Sequence, residues 1–343
     1  DTTFHPLDLL PVEREFFPLI PVGRTPLWSP ERLRKNLDMP NLYIKDDTCN
    51  PTNSLKDRAS YLVAAFARKC GIHEITLAST GNAGSSMAGI GAAADLAITL
   101  FLPKAAPPAK IIQALQYGAR VITVDGNYDL ACKLSLEWSF KKGGMSRNTA
   151  FNPLTIEGKK TAALEIYKDL GRAPDHLFIP TGDGVIMCGV YKGFEDLKKL
   201  GLIDAIPCIH AVQAEGSNAI ARAFEKGVFE LRPGHSVADS ICVDAPACGF
   251  RALDYLHKHG GACVQVSDDE ILAAQIELAS TTGLFVEPAA SASYAGLLRA
   301  RSNLDRDAII VILATGNGLK DPGSASRNIV LPKTAITSLD DIH

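Results

Sequence analysis

The chain of 343 residues contains no CxxC pair, no internal repeat, no Gly/Ser linker and no apolar run near the ~20 residues of a membrane-spanning helix. It also carries little excess charge. With 35 basic and 38 acidic side chains the formal charge is −3, which argues against a polyanion-binding surface. Neither nucleic acid nor a membrane is therefore expected as a partner. The eight cysteines, at 49, 70, 132, 188, 208, 242, 248 and 263, lack disulfide or zinc spacing, and a chain this long needs no such staple. The eight histidines form no ligand pattern with them, so no metal is expected. Asp1–Pro6 lacks the basic-then-apolar pattern of a signal peptide, and the expected location is the cytoplasm.

What is present is an ordinary globular composition, 46% hydrophobic and 21% charged, in a length that suggests about two domains. The first 41 residues are proline-rich and read as an extended wrapping segment. Apolar, β-rich runs follow at 42–45, 74–79, 97–102, 120–124, 176–180, 208–213 and 308–314. Helical stretches such as Ala59–Lys69, Ser85–Ala94 and Lys110–Tyr117 lie between them. Gly71 and Gly118 stand just past helical stretches, where a left-handed residue is wanted. The alternation predicts an α/β fold of two wound three-layer αβα domains with mainly parallel sheets. In such sheets ligands gather at the carboxyl ends of the strands.

Four segments carry chemistry. In Asn50–Arg58, Ser54 with Asp57 three residues on resembles a capping pair and starts a helix, which puts Lys56 in the first turn. The helix dipole disfavours positive charge there, and a neutral lysine amine is what Schiff-base formation needs. The same lysine also reads as a solvated helix-start residue. Ser79–Ser86 follows a strand, opens a helix and is rich in donors, so it can wrap a carboxylate or be a plain turn. Pro180–Val185 holds Gly182 and Gly184, whose backbone can close on a phosphate. Asp183 between them is expected to face away from it. Thr315 ends the last apolar run, offering a neutral hydroxyl or an ordinary turn.

In this order the segments resemble pyridoxal-phosphate enzymes of fold type II, and most of all the threonine synthase family. Asn50–Arg58 resembles NPTGSFKDR, with Asn53 for Gly and Leu55 for Phe. Ser79–Gly84 is similar to SSGNT, and Thr315–Pro322 to TGHGLKDP with Asn317 for His. Lys110–Asp129 and Phe285–Ala289 are also family-like, so the likeness runs from about Gly23 to Pro322. It implies a homodimer with a larger cofactor-phosphate domain, residues 1–50 and 150–343, and a smaller mobile domain, 51–149, to within about ten residues.

The resemblance implies that Lys56 carries pyridoxal 5'-phosphate and transfers the substrate's Cα proton. Asn82 would meet the cofactor's phenolic oxygen and Thr315 its pyridine nitrogen. Gly182, Asp183, Gly184 and Val185 would hold the cofactor phosphate through their backbone. Ser79, Thr80 and Ala83 would receive the carboxylate of a small amino-acid substrate. A neutral hydroxyl at the ring nitrogen makes a weaker electron sink than a carboxylate, which suits elimination and replacement over transamination.

One departure bears on the substrate. Where the family reads NPxR, with Arg binding the substrate phosphate, this chain has Asn152-Pro153-Leu154-Thr155. Thr155 stands in the substrate-binding position without the charge. Conversion of O-phosphohomoserine and water to threonine and phosphate is thus expected beside two alternatives. These are β-replacement of the cysteine or cysteate synthase kind, and serine or threonine deamination.

Overall fold

The computed structural model describes residues 4–104 and 108–329. Among them are ten strands: β1 (Leu27–Trp28), β2 (Leu42–Asp46), β3 (Glu74–Ala78), β4 (Ala97–Pro103), β5 (Arg120–Val124), β6 (Met145–Ser146), β7 (His176–Pro180), β8 (Cys208–Ala214), β9 (Ala262–Val266) and β10 (Ile310–Ala314). They form two sheets. One has the order β1-β2-β10-β7-β8-β9 and the other β5-β4-β3-β6. All pairs are parallel except β1 with β2.

The strands at the centre read as unbroken apolar runs because both faces are covered. Every residue of β10 is buried. One face of the larger sheet packs Leu177, Ile179, Ile209 and Val311 against the helix Val185–Lys199. The other packs Phe178, Val212 and Ile312 against the helix Pro288–Ala300. The smaller sheet buries Ile75, Leu77 and Ile98 against Val63, Met87 and Ile90 of the helices Lys56–Lys69 and Asn82–Ala93. No helix among the described residues is long and apolar enough to cross a membrane.

All seven expected strand runs are strands, and Gly71 and Gly118 adopt the left-handed conformation, at φ 65° and 81°. Three strands lacked a sequence signal. β1 and β6 are two residues long, and β9, at the sheet edge, is mostly half-buried and so less apolar. The N-terminal segment wraps as expected, Leu10, Val12 and Phe17 packing on Leu62 and Ala65. It is not wholly extended, since residues Glu31–Leu37 form a helix held by buried Leu33.

Candidate active site

Lys56 is the first residue of the helix Lys56–Lys69, but the Ser54–Asp57 cap does not form. Ser54 instead makes an antiparallel bridge to Gly316, and the Leu55 N–H donates to the Thr315 carbonyl at 2.8 Å. The Asp57 carboxylate turns back to accept the N–H and hydroxyl of Thr52. The lysine is thereby tied to the carboxyl end of β10. Its amine is held below the usual lysine range, first by burial and further by Arg147, against the opposing charges of Asp183 and Glu287. The direction is the expected one, but desolvation rather than the helix terminus leads it.

A second tie is made by the next residue but one. Buried Arg58 places one fork on Asp47 (2.6 and 2.8 Å) and another on Glu165 (2.6 and 2.8 Å). Lys45 adds a third charge at 3.0 Å from Glu165. These pairs fix the start of the helix to the end of β2 and to the helix Thr161–Leu170.

The loops expected to bind ligand converge on Lys56. It lines a narrow crevice with Thr181, Gly182, Asp183, Gly184 and Ser240. Ser240 also borders a cleft of about 280 Å³ lined by Thr80, Asn82, Glu287 and Lys320. The Ser79 hydroxyl accepts the N–H groups of Gly81 and Gly84, which shapes the Ser79–Gly84 turn, while Thr80 and Ala83 remain half-exposed. Asn82, at the start of its helix, donates from Nδ2 to both oxygens of Glu287 at 3.0 Å.

Two expectations need correction. Asp183 does not face away from its loop: its Oδ1 accepts the Val185 N–H at 3.0 Å, and its charge favours the protonated form of Lys56. The Val185 N–H is thus already used, which leaves Gly182 and Gly184 as the free turn of the loop. Thr155 is fully buried, and its hydroxyl donates to the Asn152 carbonyl at 2.8 Å, so it presents nothing to an anion.

Three residues without an assigned role lie in this centre. Glu287 is buried, accepts a further bond from the Ser240 hydroxyl, and has its carboxyl pushed up by burial. Arg147 and Lys159 are both fully buried, and Arg147 Nη2 and Lys159 Nζ have no hydrogen-bond partner. Burial lowers Arg147 to about 10, which leaves it charged at neutral pH. Lys159 is lowered strongly, by burial and then by the charge of Lys56. Lys159 follows Thr155 by one turn of the same helix, Leu154–Lys159. The Arg147 Nε lies 3.4 Å from the Ser60 hydroxyl, one turn after Lys56. Sequence reading passes over such residues, because Lys and Arg usually sit at the surface.

A buried amine of lowered proton affinity, a glycine loop at a helix start and a buried guanidinium with a free N–H fit an aldehyde cofactor bearing a phosphate. Gly182 has no room for a side chain, since a Cβ there would lie 2.8 Å from Ile241 Cα and 2.9 Å from its carbonyl oxygen. Gly182→Ala is expected to move the loop, weaken pyridoxal phosphate binding at least tenfold and cost about 1–3 kcal/mol of stability. Titration of apoprotein with the cofactor, followed by absorbance, measures this. An unchanged Kd would remove the loop from the phosphate site.

The fold and this centre define a pyridoxal-phosphate enzyme of fold type II. The chain belongs to the pyridoxal-phosphate dependent enzyme family, whose model matches residues 19–316. It is 37% identical over 343 residues to the threonine synthase of Methanosarcina acetivorans, covering 98% of this chain and 84% of that protein. With the threonine synthase of Methanocaldococcus jannaschii it shares 36% identity over 312 residues, 89% of this chain and 77% of the other. The processed form of threonine deaminase isoform 2 from Solanum lycopersicum has the same fold. Its TM-score is 0.77 at 22% identity, over 91% of this chain and 87% of that one.

Proposed function

We propose that this enzyme converts O-phosphohomoserine and water to threonine and phosphate. The observation that carries the reading is buried Arg147 beside Lys56: among the described residues it bonds only the Thr149 and Ser60 hydroxyls, has no carboxylate partner, and leaves Nη2 without a hydrogen bond, while the Nζ of buried Lys159 also has no partner. A buried guanidinium does not shed its proton, and leaving it unpaired is costly, so such a centre is built to receive anions. Two phosphates need holding. Lys159 is close to Asp183 and Cys248 at the phosphate loop and serves the cofactor's. Arg147 follows β6 next to Asn148, whose Oδ1 accepts the Ala78 N–H at the end of β3, and serves the substrate's.

When bound, the cofactor supplies the electron sink that stabilises negative charge at the substrate Cα. Lys56 Nζ, whose proton affinity burial lowers, would take the Cα proton and later return it. Ser79, Thr80 and Ala83 receive the carboxylate at the start of the helix Asn82–Ala93. Gly182 and Gly184 would hold the cofactor phosphate through their backbone, Thr315 would face the pyridine nitrogen, and Asn82, now on Glu287, would hold the phenolic oxygen. A Cβ proton must leave as the Cγ–O bond breaks, Cγ is then protonated and water adds at Cβ with loss of its own proton; Arg147 would stay on the departing phosphate, where charge collects. Closure of the smaller domain, 51–149, excludes bulk water from the cleft. The reading extends to a cytoplasmic homodimer. The eight unpaired thiols support a reducing compartment, and the dimer rests on the family resemblance.

Arg147→Leu is the test. Losing one partner of a buried charge pair typically costs about 2–5 kcal/mol, so KM for O-phosphohomoserine should rise about 30-fold or more. Arg147→Lys should recover part of it, and binding of threonine, which carries no phosphate, should hardly change. An unaltered KM would overturn the phosphorylated substrate and favour deamination or β-replacement.

A further inference from the structure

We propose that His176, Cys208 and His210 form a binding site for one divalent transition-metal ion of the zinc type, remote from the active site. The site arises from register. In the parallel pairing of β7 with β8, His176 lies opposite Cys208, and Phe178 opposite His210. Cys208 and His210 are two apart on one strand, so their side chains share a face. The three donor atoms lie within 4.8 Å of one another, and His176 Nδ1 is 3.1 Å from His210 Nε2.

Donors in a tetrahedral site with metal distances of about 2.0–2.3 Å stand roughly 3.3–3.8 Å apart. The two nitrogens already meet that spacing to within a few tenths of an ångström. The sulfur needs only a small inward movement, and what restrains it is one weak contact of 3.5 Å to the Gly260 carbonyl. The His210 ring is fixed by stacking on Phe178, with centroids 4.1 Å apart and planes 6° from parallel. Its other nitrogen, Nδ1, is buried without a partner, so Nε2 is the nitrogen placed to bind.

One thiolate and two imidazoles suit zinc, cobalt, nickel or copper and disfavour calcium or magnesium. His176 and Cys208 are half-buried, which admits water as a fourth ligand. Binding replaces the His176–His210 hydrogen bond by two metal–nitrogen bonds. Both rings bind neutral, with their protons on His176 Nε2 and His210 Nδ1, and the Cys208 thiol releases one proton to solvent. The site sits at the amino ends of β7 and β8, about 13 Å along β7 from the phosphate loop. A metal there staples two neighbouring strands and takes no part in the chemistry.

Titration of the holoenzyme with Co²⁺ tests the proposal. One equivalent should bind with a sulfur-to-cobalt charge-transfer band, release one proton, and be displaced by Zn²⁺. Cys208→Ser should lose that band and His176→Gln should weaken binding at least tenfold. Both variants should keep the cofactor's visible absorption, which shows that they fold. The absence of a stoichiometric Co²⁺ complex would overturn the site, and so would a band that survives Cys208→Ser.

Discussion

Lys56→Ala is expected to lower turnover by about 10⁴-fold or more, the upper end of what a positioned proton-transfer group contributes, because the same amine also carries the cofactor. The structure adds a rival, since Lys159 is also a buried amine held below its ordinary range. Borohydride reduction of the holoenzyme, then peptide mass spectrometry, decides between them. The pyridoxyl group should be found on the peptide containing Lys56 and should vanish in Lys56→Ala. A label on Lys159 would overturn the assignment. Stability separates a functional lysine from a structural one. Removing a desolvated amine that lowers no other energy should leave the apoprotein's Tm unchanged or raised, whereas a structural lysine would lower it.

Arg58→Ala should be among the most destabilising single changes, by about 3–5 kcal/mol, because it strands two buried carboxylates. Denaturant unfolding of the apoprotein measures it, and a loss below about 1 kcal/mol would contradict the argument. The same network sets the acid limit. Burial would raise the Glu165 carboxyl, but Arg58 and Lys45 outweigh it and hold the group down, to about 2. A carboxyl depressed from 4.5 to about 2 contributes stability that is fully present above pH 4.5 and is lost as pH falls toward 2. The contribution is of order 3 kcal/mol. Glu165→Gln should therefore weaken the protein at neutral pH and flatten its stability between pH 4.5 and 2.

Most of the fold was legible in the sequence. The strands at the sheet centres are apolar on both faces and show as continuous runs, and a lysine following Asn50-Pro51 could be placed in a first helical turn. The elements that escaped are short or half-buried. The Ser54–Asp57 cap was plausible locally but lost to Gly316 and Thr52, partners that exist only once β10 lies beside the helix.

The sequence by itself determined the α/β architecture, the order of the ligand loops and the lysine at their centre. Each of these depends on local periodicity and on residues within one segment. The tertiary structure alone decided where the charges go. Arg147 and Lys159 became buried with Nη2 and Nζ unpartnered, Glu287 took the Asn82 amide, the Thr155 hydroxyl bonded the Asn152 carbonyl, and His176 met Cys208. The reason is that burial of a polar side chain, and the identity of its partner, follow from the register of strands far apart in the chain. A pattern of apolar residues records which face is covered but not which charge will be covered with it.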